Sequence, residues 1–353
     1  MRDGLNRSYM KISLGKSFLY YWIMSGLLAC GSNEALQDTQ SHFRPEKDQP
    51  TIDANFPDPT LVLGHDGYYY VYATNTERDG KLIHIQVAKS KDLKEWEMLE
   101  DALPDPPVWA DRDFWAPHVT YDSLTQTYFL YYSGESVDPA LGKCMGVATS
   151  KNPAGPFVDQ GEPLLCGETF VEIDPMAFDD PVSGKKYLYW GSGHQPIKVQ
   201  ELADDRMAFL AGSAPLAVLD TIGSDDPDNY QRLVEGPWVV YREGYYYLFY
   251  SGDNCCGEHA HYALMVARSK SPTGPFETLA ESRGVANSVI MERYGQWIAI
   301  GHNSLIQDES GQDWVAYHGI DTLDRAKGRV MLMDKIIWED GWPTIQIEEN
   351  NKR

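Results

Sequence analysis

The chain has 353 residues, with 30 Lys or Arg against 52 Asp or Glu, and the resulting formal charge of −22 excludes a nucleic-acid partner by repelling phosphate. Aromatic residues make up 12% of it, including 22 Tyr and 10 Trp, beside 30 Gly and 21 Pro. That composition excludes a disordered or helix-rich chain and points to an all-β domain with many turns.

In chain order, Arg2, Arg7, Lys11 and Lys16 precede an apolar run from Phe18 to Leu28. A spanning helix needs ~20 apolar residues, so the run is expected to be a secretory signal. It ends in Leu27-Leu28-Ala29-Cys30-Gly31, which resembles the lipobox of bacterial lipoproteins. The resemblance implies that residues 1–30 are a signal peptide ending at a lipidated Cys30. It also implies a protein of the bacterial cell envelope, periplasmic or outer-membrane, that touches the membrane only through this lipid anchor. Residues 31–50, rich in Ser, Asn, Gln, Asp and Glu, form a flexible tether, which leaves 51–353 for the folded domain. The four cysteines beyond Cys30 are Cys144, Cys166, Cys255 and Cys256, an even number that permits pairing in an exported protein. For the adjacent Cys255 and Cys256, a small strained ring and two buried thiols are both open. No spacing of Cys and His marks a zinc site.

Beyond the tether one aromatic pattern recurs five times: Tyr69 to Thr74, Tyr128 to Ser133, Lys186 to Gly191, Tyr246 to Ser251 and Asp313 to His318. Successive copies start 58 to 67 residues apart, and most follow a hairpin turn signal such as Asp66-Gly67, Ser183-Gly184 or Glu243-Gly244. A second pattern trails it at Val87-Ala88-Lys89-Ser90, Val147-Ala148-Thr149-Ser150 and Val266-Ala267-Arg268-Ser269. Several short strands per sixty-residue period, with no amphipathic helix between them, predict a five-bladed β-propeller. A β-solenoid is the alternative, but its repeats are usually shorter.

Eleven or twelve residues before each aromatic pattern lies a shorter motif, in register at Asp58, Pro117, Asp174, Glu235 and His302. Equivalent positions of a propeller lie at equal distance from its axis, so the five motifs should ring one end of the central cavity. Asp58, Asp174 and Glu235 are then expected to converge from blades one, three and four. Converging carboxylates repel one another, so at least one should hold a proton near neutrality, as acid/base work on a glycosidic bond requires. A divalent-cation site is the other use for such a cluster.

These motifs, with Asp340-Gly341-Trp342-Pro343, resemble glycoside hydrolase family 43 over roughly residues 50 to 345. The resemblance implies a five-bladed propeller and hydrolysis with inversion. Asp58 matches the general base, Asp174 the acid that sets pKa and orientation, and Glu235 the general acid. Arg329 in Lys327-Gly328-Arg329 is the candidate substrate-binding arginine, with Arg325 competing. His302 matches a histidine near the axis that binds substrate-side water or a metal. No cofactor is implied, although a structural Ca2+ or other cation near the axis is compatible with the family. The related sucrose- and fructan-cleaving propellers open differently from Phe56-Pro57-Asp58-Pro59 and Glu172-Ile173-Asp174-Pro175.

Inversion needs room for a water, which predicts the Asp58 and Glu235 carboxyls ~6.5–9.5 Å apart. Trp115, and behind it Trp109, offers an indole face for stacking on a sugar or for packing between blades. The expected activity is that of an exo-acting α-L-arabinofuranosidase on plant cell-wall oligosaccharide or polysaccharide, namely arabinan or arabinoxylan fragments. A β-xylosidase, an endo-1,5-α-L-arabinanase and a non-catalytic carbohydrate-binding propeller are the alternatives. The segments 101–113 and 252–261 are candidate pocket walls.

Overall fold

The computed structural model describes residues 49–346, apart from residues 192, 225 and 227. The apolar run, Cys30 and nearly all of the tether lie outside the described residues.

Five antiparallel sheets follow one another along the chain. Blade one comprises Thr60–Leu63, Tyr69–Ala73, Gln86–Ser90 and Glu97–Met98; blade two Ala110–Asp122, Thr127–Ser136, Lys143–Ser150 and Val158–Asp159. Blade three comprises Met176–Asp179, Lys186–Trp190, Ile197–Glu201 and Leu216–Leu219; blade four Val234–Arg242, Tyr245–Asn254, His261–Ser269 and Glu277–Thr278. Blade five is Trp297–Gln307, Asp313–Asp321, Arg329–Glu339 and Trp342–Gln346. This is the five-bladed propeller that the repeat predicts. The aromatic pattern is the second strand of each blade, and the Val-Ala pattern is the third strand of blades one, two and four.

The second strands are aromatic because they are covered on both faces, and burying one such ring is worth roughly 2–3 kcal/mol. Tyr72, Tyr131 and Tyr189, the fourth residues of their patterns, are fully buried and still need a partner for the hydroxyl. Each donates to a backbone carbonyl of the next blade: Tyr72 to Pro153, Tyr131 to Arg206 at 2.9 Å, and Tyr189 to Pro272. The tyrosines therefore bind blade to blade.

Within the inner strand of each blade, or two residues before it, lies a left-handed residue in equivalent position: Asp58 (φ 58°), Ala116 (47°), Asp174 (59°), Gly236 (59°) and His302 (50°). These five residues, one per blade, are the axial ring. At two blades the ring differs from the register expected from sequence, since Ala116 stands where Pro117 was placed and Gly236 where Glu235 was placed. The one-residue bulge recurs, between Trp115 and His118, Glu235 and Trp238, and Gly301 and Ser304, so the shift comes from the hairpins: six residues separate Tyr121 from its partner Tyr128 and four separate Tyr241 from Tyr246, against five between Gln307 and Asp313 in blade five. Glu235 pairs with Ser251, as Trp115 pairs with Ser133 and Gly301 with His318. Glu235 is thus the residue before the axial turn, while Asp58 and Asp174 are the turn itself.

Two disulfides close locally. Cys144–Cys166 joins the third strand of blade two to Leu165–Gly167, 22 residues along, and Cys255–Cys256 joins neighbours in blade four. The ring for Cys255 and Cys256 is therefore the open alternative that the structure adopts.

Candidate active site

In blades two, three and five the left-handed turn points the axial N–H at the blade before it, and the last residue of that blade's aromatic pattern receives it. Thr74 Oγ1 accepts from Ala116 N (2.9 Å), Ser133 Oγ from Asp174 N (3.0 Å) and Ser251 Oγ from His302 N (2.8 Å). Blade three ends its pattern in Gly191, which has no side chain to offer. There the Asp174 carboxylate serves instead, its Oδ2 accepting from Gly236 N at 3.0 Å. A Cβ on Gly236 would stand 3.2 Å from the His302 ring at a φ that only glycine adopts freely, so this donor needs glycine. The small polar ends of the aromatic patterns were visible in the sequence, but their partners lie one blade away.

Asp58 is the most heavily bound carboxylate. Arg329 Nη1 donates to its Oδ1 at 2.7 Å and Thr74 Oγ1 to its Oδ2 at 2.5 Å. His302 Nδ1 lies 3.5 Å from the same Oδ1. His318 Nδ1 stands 3.1 Å from Oδ1 and 3.3 Å from the Asp58 backbone N. One neutral imidazole nitrogen cannot donate to the first and accept from the second, and the charge decides for donation to the carboxylate. Burial by itself would raise the Asp58 carboxyl, but Arg329, His302 and His318 together outweigh it and hold it well below the usual carboxylate range. Burial lowers both imidazoles, His318 to about 4, so neither carries charge at neutral pH.

Asp174 behaves oppositely. It is as buried as Asp58, with no cation in contact, and His302 Nδ1 is 3.9 Å from its Oδ2. Burial, then the charges of Glu235 and Asp58, push its carboxyl well above the usual range. Asp174 therefore keeps its proton to a pH at which Asp58 has long lost its own. Glu235 is half-buried, and Tyr262, itself fully buried on the third strand of blade four, donates to its Oε1 at 2.7 Å. Tyr262 carries no motif; only the folded register of that strand places it.

Trp115, the blade-two counterpart of Glu235, is half-buried and stacks on exposed Phe170 with ring centres 6.2 Å apart and planes at 7°. Its other neighbour is Lys143, 3.9 Å from the ring centre and bridged to Asp113 and Glu135, each at 2.6 Å. Trp109 lies inside blade two, stacked on Tyr132 with its Nε1 bonded to Asp159, and packs rather than presenting a face. Arg325 does not touch Asp58, so of the two arginines it is Arg329 that reaches the carboxylates.

Among the described residues no three His, Cys, Asp or Glu side chains form a metal-binding group. His302 Nδ1 is turned to Asp58 and Asp174, whereas His318 Nε2 and both polar atoms of Asn303 are buried without a protein partner. Such neutral donors suit ordered water or a cation that keeps its hydration shell, and they do not form a carboxylate cage.

The chain matches the sequence profile of glycosyl hydrolases family 43 over residues 47–343. It is 28% identical over 317 residues to the extracellular exo-α-(1→5)-L-arabinofuranosidase of Cellvibrio japonicus, covering 83% of this chain and 86% of the relative. It is also 28% identical over 304 residues to the extracellular endo-α-(1→5)-L-arabinanase 1 of Bacillus subtilis, covering 81% and 86%. A solved exo-1,5-α-L-arabinanase from a bovine ruminal metagenomic library superposes with a TM-score of 0.68 at 26% identity, covering 83% of this chain and 97% of that one. The profile spans all five blades that gather Asp58, Asp174 and Glu235, and the chain belongs to glycosyl hydrolases family 43, a family of enzymes that cleave glycosidic bonds with inversion.

Proposed function

We propose that the protein is an exo-acting α-L-arabinofuranosidase that trims α-1,5-linked arabinan or arabinoxylan fragments at a bacterial envelope. The observation that carries this reading is the unequal surroundings of three gathered carboxylates: Arg329, Thr74 and His302 surround Asp58 and favour its anion, Asp174 is buried with a backbone N–H and keeps its proton to higher pH, and Glu235 accepts from Tyr262. In this reading Asp58 takes a proton from a water on one face of the reacting sugar and Glu235 gives one to the leaving oxygen on the other. Asp174 accepts the N–H of Gly236 and so orients the backbone beside Glu235, and Arg329 fixes the orientation of Asp58. Neutral His302, at the carboxylates, is placed to contact a sugar hydroxyl or the water, and Trp115 with Phe170 offers a flat apolar face beside them.

The depth of Asp58 and Asp174 supports reaction at a chain end, and the Cellvibrio relative is named for that activity. Endo action is the second reading, supported by the Bacillus relative at equal identity. Incubating the pure protein with aryl α-L-arabinofuranoside, aryl β-D-xyloside and linear arabinan distinguishes them. Monosaccharide release from the first and third is expected. Exclusive activity on the xyloside overturns the arabinan reading, and early release of long oligosaccharides from arabinan overturns exo action. The envelope placement rests on Cys30 and is tested apart from the chemistry, because Cys30→Ser should abolish incorporation of labelled fatty acid.

A further inference from the structure

Beside the carboxylates, between blades four and five, lies a cavity of about 430 Å3 lined by Asn55, Cys256, Glu258, Ile320, Arg325 and Arg329, among others. Its size falls in the ~300–1,000 Å3 range of small-ligand sites. Arg329, whose guanidinium reaches Asp58, is one of its lining residues, so the cavity and the carboxylates share this side chain.

One wall is the segment joining Tyr245–Asn254 to His261–Ser269, and this wall is braced. Arg232 grips Asp253 with two bonds of 2.9 and 2.8 Å, His261 Nδ1 lies 2.7 Å from the same carboxylate, and Asn254 Nδ2 donates to His259 O at 3.0 Å. Cys255 packs inward on the cluster of Tyr262, Ala299 and Ile320, while its disulfide partner Cys256 is exposed and faces the cavity. The disulfide thus gives the cavity a stiff apolar surface. Opposite it stands exposed Arg325, whose guanidinium makes one long contact, 3.5 Å to Glu258 O, and no ion pair among the described residues. On a chain of net charge −22, an arginine at a cavity mouth without a carboxylate partner has donors to offer a ligand.

A sugar ring has an apolar face and a rim of hydroxyls, which match the disulfide surface and the guanidinium. We propose that this cavity is a second sugar subsite: the Cys255–Cys256 disulfide supports the ring face of a neutral pentose unit adjoining the one hydrolysed, and Arg325 binds its hydroxyls. The inference rests on the catalytic reading of the adjacent carboxylates and adds how the enzyme holds a chain longer than one unit.

The test measures kcat/KM on α-1,5-arabino-oligosaccharides and β-1,4-xylo-oligosaccharides of increasing length, together with the matching aryl glycosides. It compares the parent with the double variant Cys255→Ser/Cys256→Ser and, separately, with Arg325→Ala. Both variants should keep the rate on the shortest substrate turned over within about threefold and lose roughly tenfold on longer ones, chiefly through KM. Equal losses at every length would mean that the segment only holds Tyr262 on Glu235, and would overturn the subsite. Unchanged length dependence in Arg325→Ala, a surface variant that leaves the braced wall intact, would also overturn it. A parent active only on the xylo-series would refute the arabinan reading, while the length dependence within that series would still decide the subsite.

Discussion

At the scale of single residues, the site depends on giving three like groups different environments. Asp58 has one arginine, one hydroxyl and two imidazoles around it, whereas Asp174 has a backbone N–H and two negative neighbours. The assigned roles predict a leaving-group signature. Glu235→Ala should lose on the order of 10²–10⁴ in rate on a natural glycan, yet far less on an aryl glycoside whose leaving group needs no proton. Asp58→Ala should be poor on both. The reverse pattern, with Asp58→Ala sparing the activated substrate, would exchange the two labels. Asp174 also bears on stability. An unfolded aspartate releases its proton near pH ~3.9, but the folded Asp174 holds it to higher pH. Between those two values the native state binds more protons, so stability falls as pH rises. Asp174→Asn keeps an acceptor for Gly236 N–H and removes this cost. The variant should melt higher than the parent at pH 8, match it near pH 4, and be nearly inactive. A melting difference independent of pH would show that Asp174 is not held protonated in the fold.

At the scale of the strand and blade, the recurring unit is an axial left-handed turn received by the previous blade. A left-handed non-glycine residue costs roughly 1–2 kcal/mol, and the ring carries four of them, so the cross-blade bonds must hold these conformations in place. Ser133 is the clearest test because it is completely buried and its hydroxyl accepts the Asp174 N–H. Ser133→Ala strands that donor and should destabilise the fold by about 1–3 kcal/mol. It should also lower kcat by loosening the Asp174 backbone, whereas Tyr131→Phe, which breaks the blade-two tyrosine bond farther out, should cost comparable stability with little change in kcat. Melting curves and initial rates on both variants separate the two effects. Equal rate losses in the two would indicate that the axial bonds have no special hold on the carboxylates. The Cys144–Cys166 disulfide works on the same scale: it closes a 22-residue loop, worth about 3 kcal/mol in chain entropy, and anchors the segment that leads to Phe170.

For the whole molecule, ring closure and chemistry share one seam. Among the described residues every blade is built from its own stretch of chain, and no strand is exchanged between the first and last blades. The seam is instead the segment 51–56 laid along the third strand of blade five: Thr51 N donates to Met331 O at 2.8 Å and Phe56 N to Arg329 O at 2.7 Å. Arg329 N in turn donates to Asn55 Oδ1 at 3.1 Å, and the Arg329 guanidinium crosses to Asp58. Gly328 makes this possible, since at φ 81° a Cβ there would meet Asn55 Oδ1 at 2.5 Å. Gly328→Ala should cost about 1–3 kcal/mol and, by displacing Arg329, reduce kcat/KM more than any effect on melting would suggest. Full activity in a folded Gly328→Ala protein would show that the seam does not position Arg329.

How much of this was legible in the sequence follows from what repeats and what does not. The five aromatic strands recur because each is covered on both faces, so the blade number and the second and third strands were readable from periodicity. Asp58 and Asp174 sit in motifs tied to that period and were found with it, whereas Arg329 was named only through the family resemblance. Glu235 was found as a residue but misplaced by one in register, because the hairpin of blade four is one residue shorter than that of blade five and a fixed offset from the aromatic pattern cannot register this. Tyr262 as the partner of Glu235, His318 at Asp58, the bond that joins Arg329 to Asp58, and the identity of Asp174 as a carboxyl raised by its neighbours came from the tertiary structure. Each depends on contacts between residues of one or two blades that lie 27 to 271 positions apart. Sequence determined the repeating unit, since hydrophobic burial acts within each blade. Only closure of the ring decided which charged groups share a site, because electrostatic environment is a property of distances that no single blade contains.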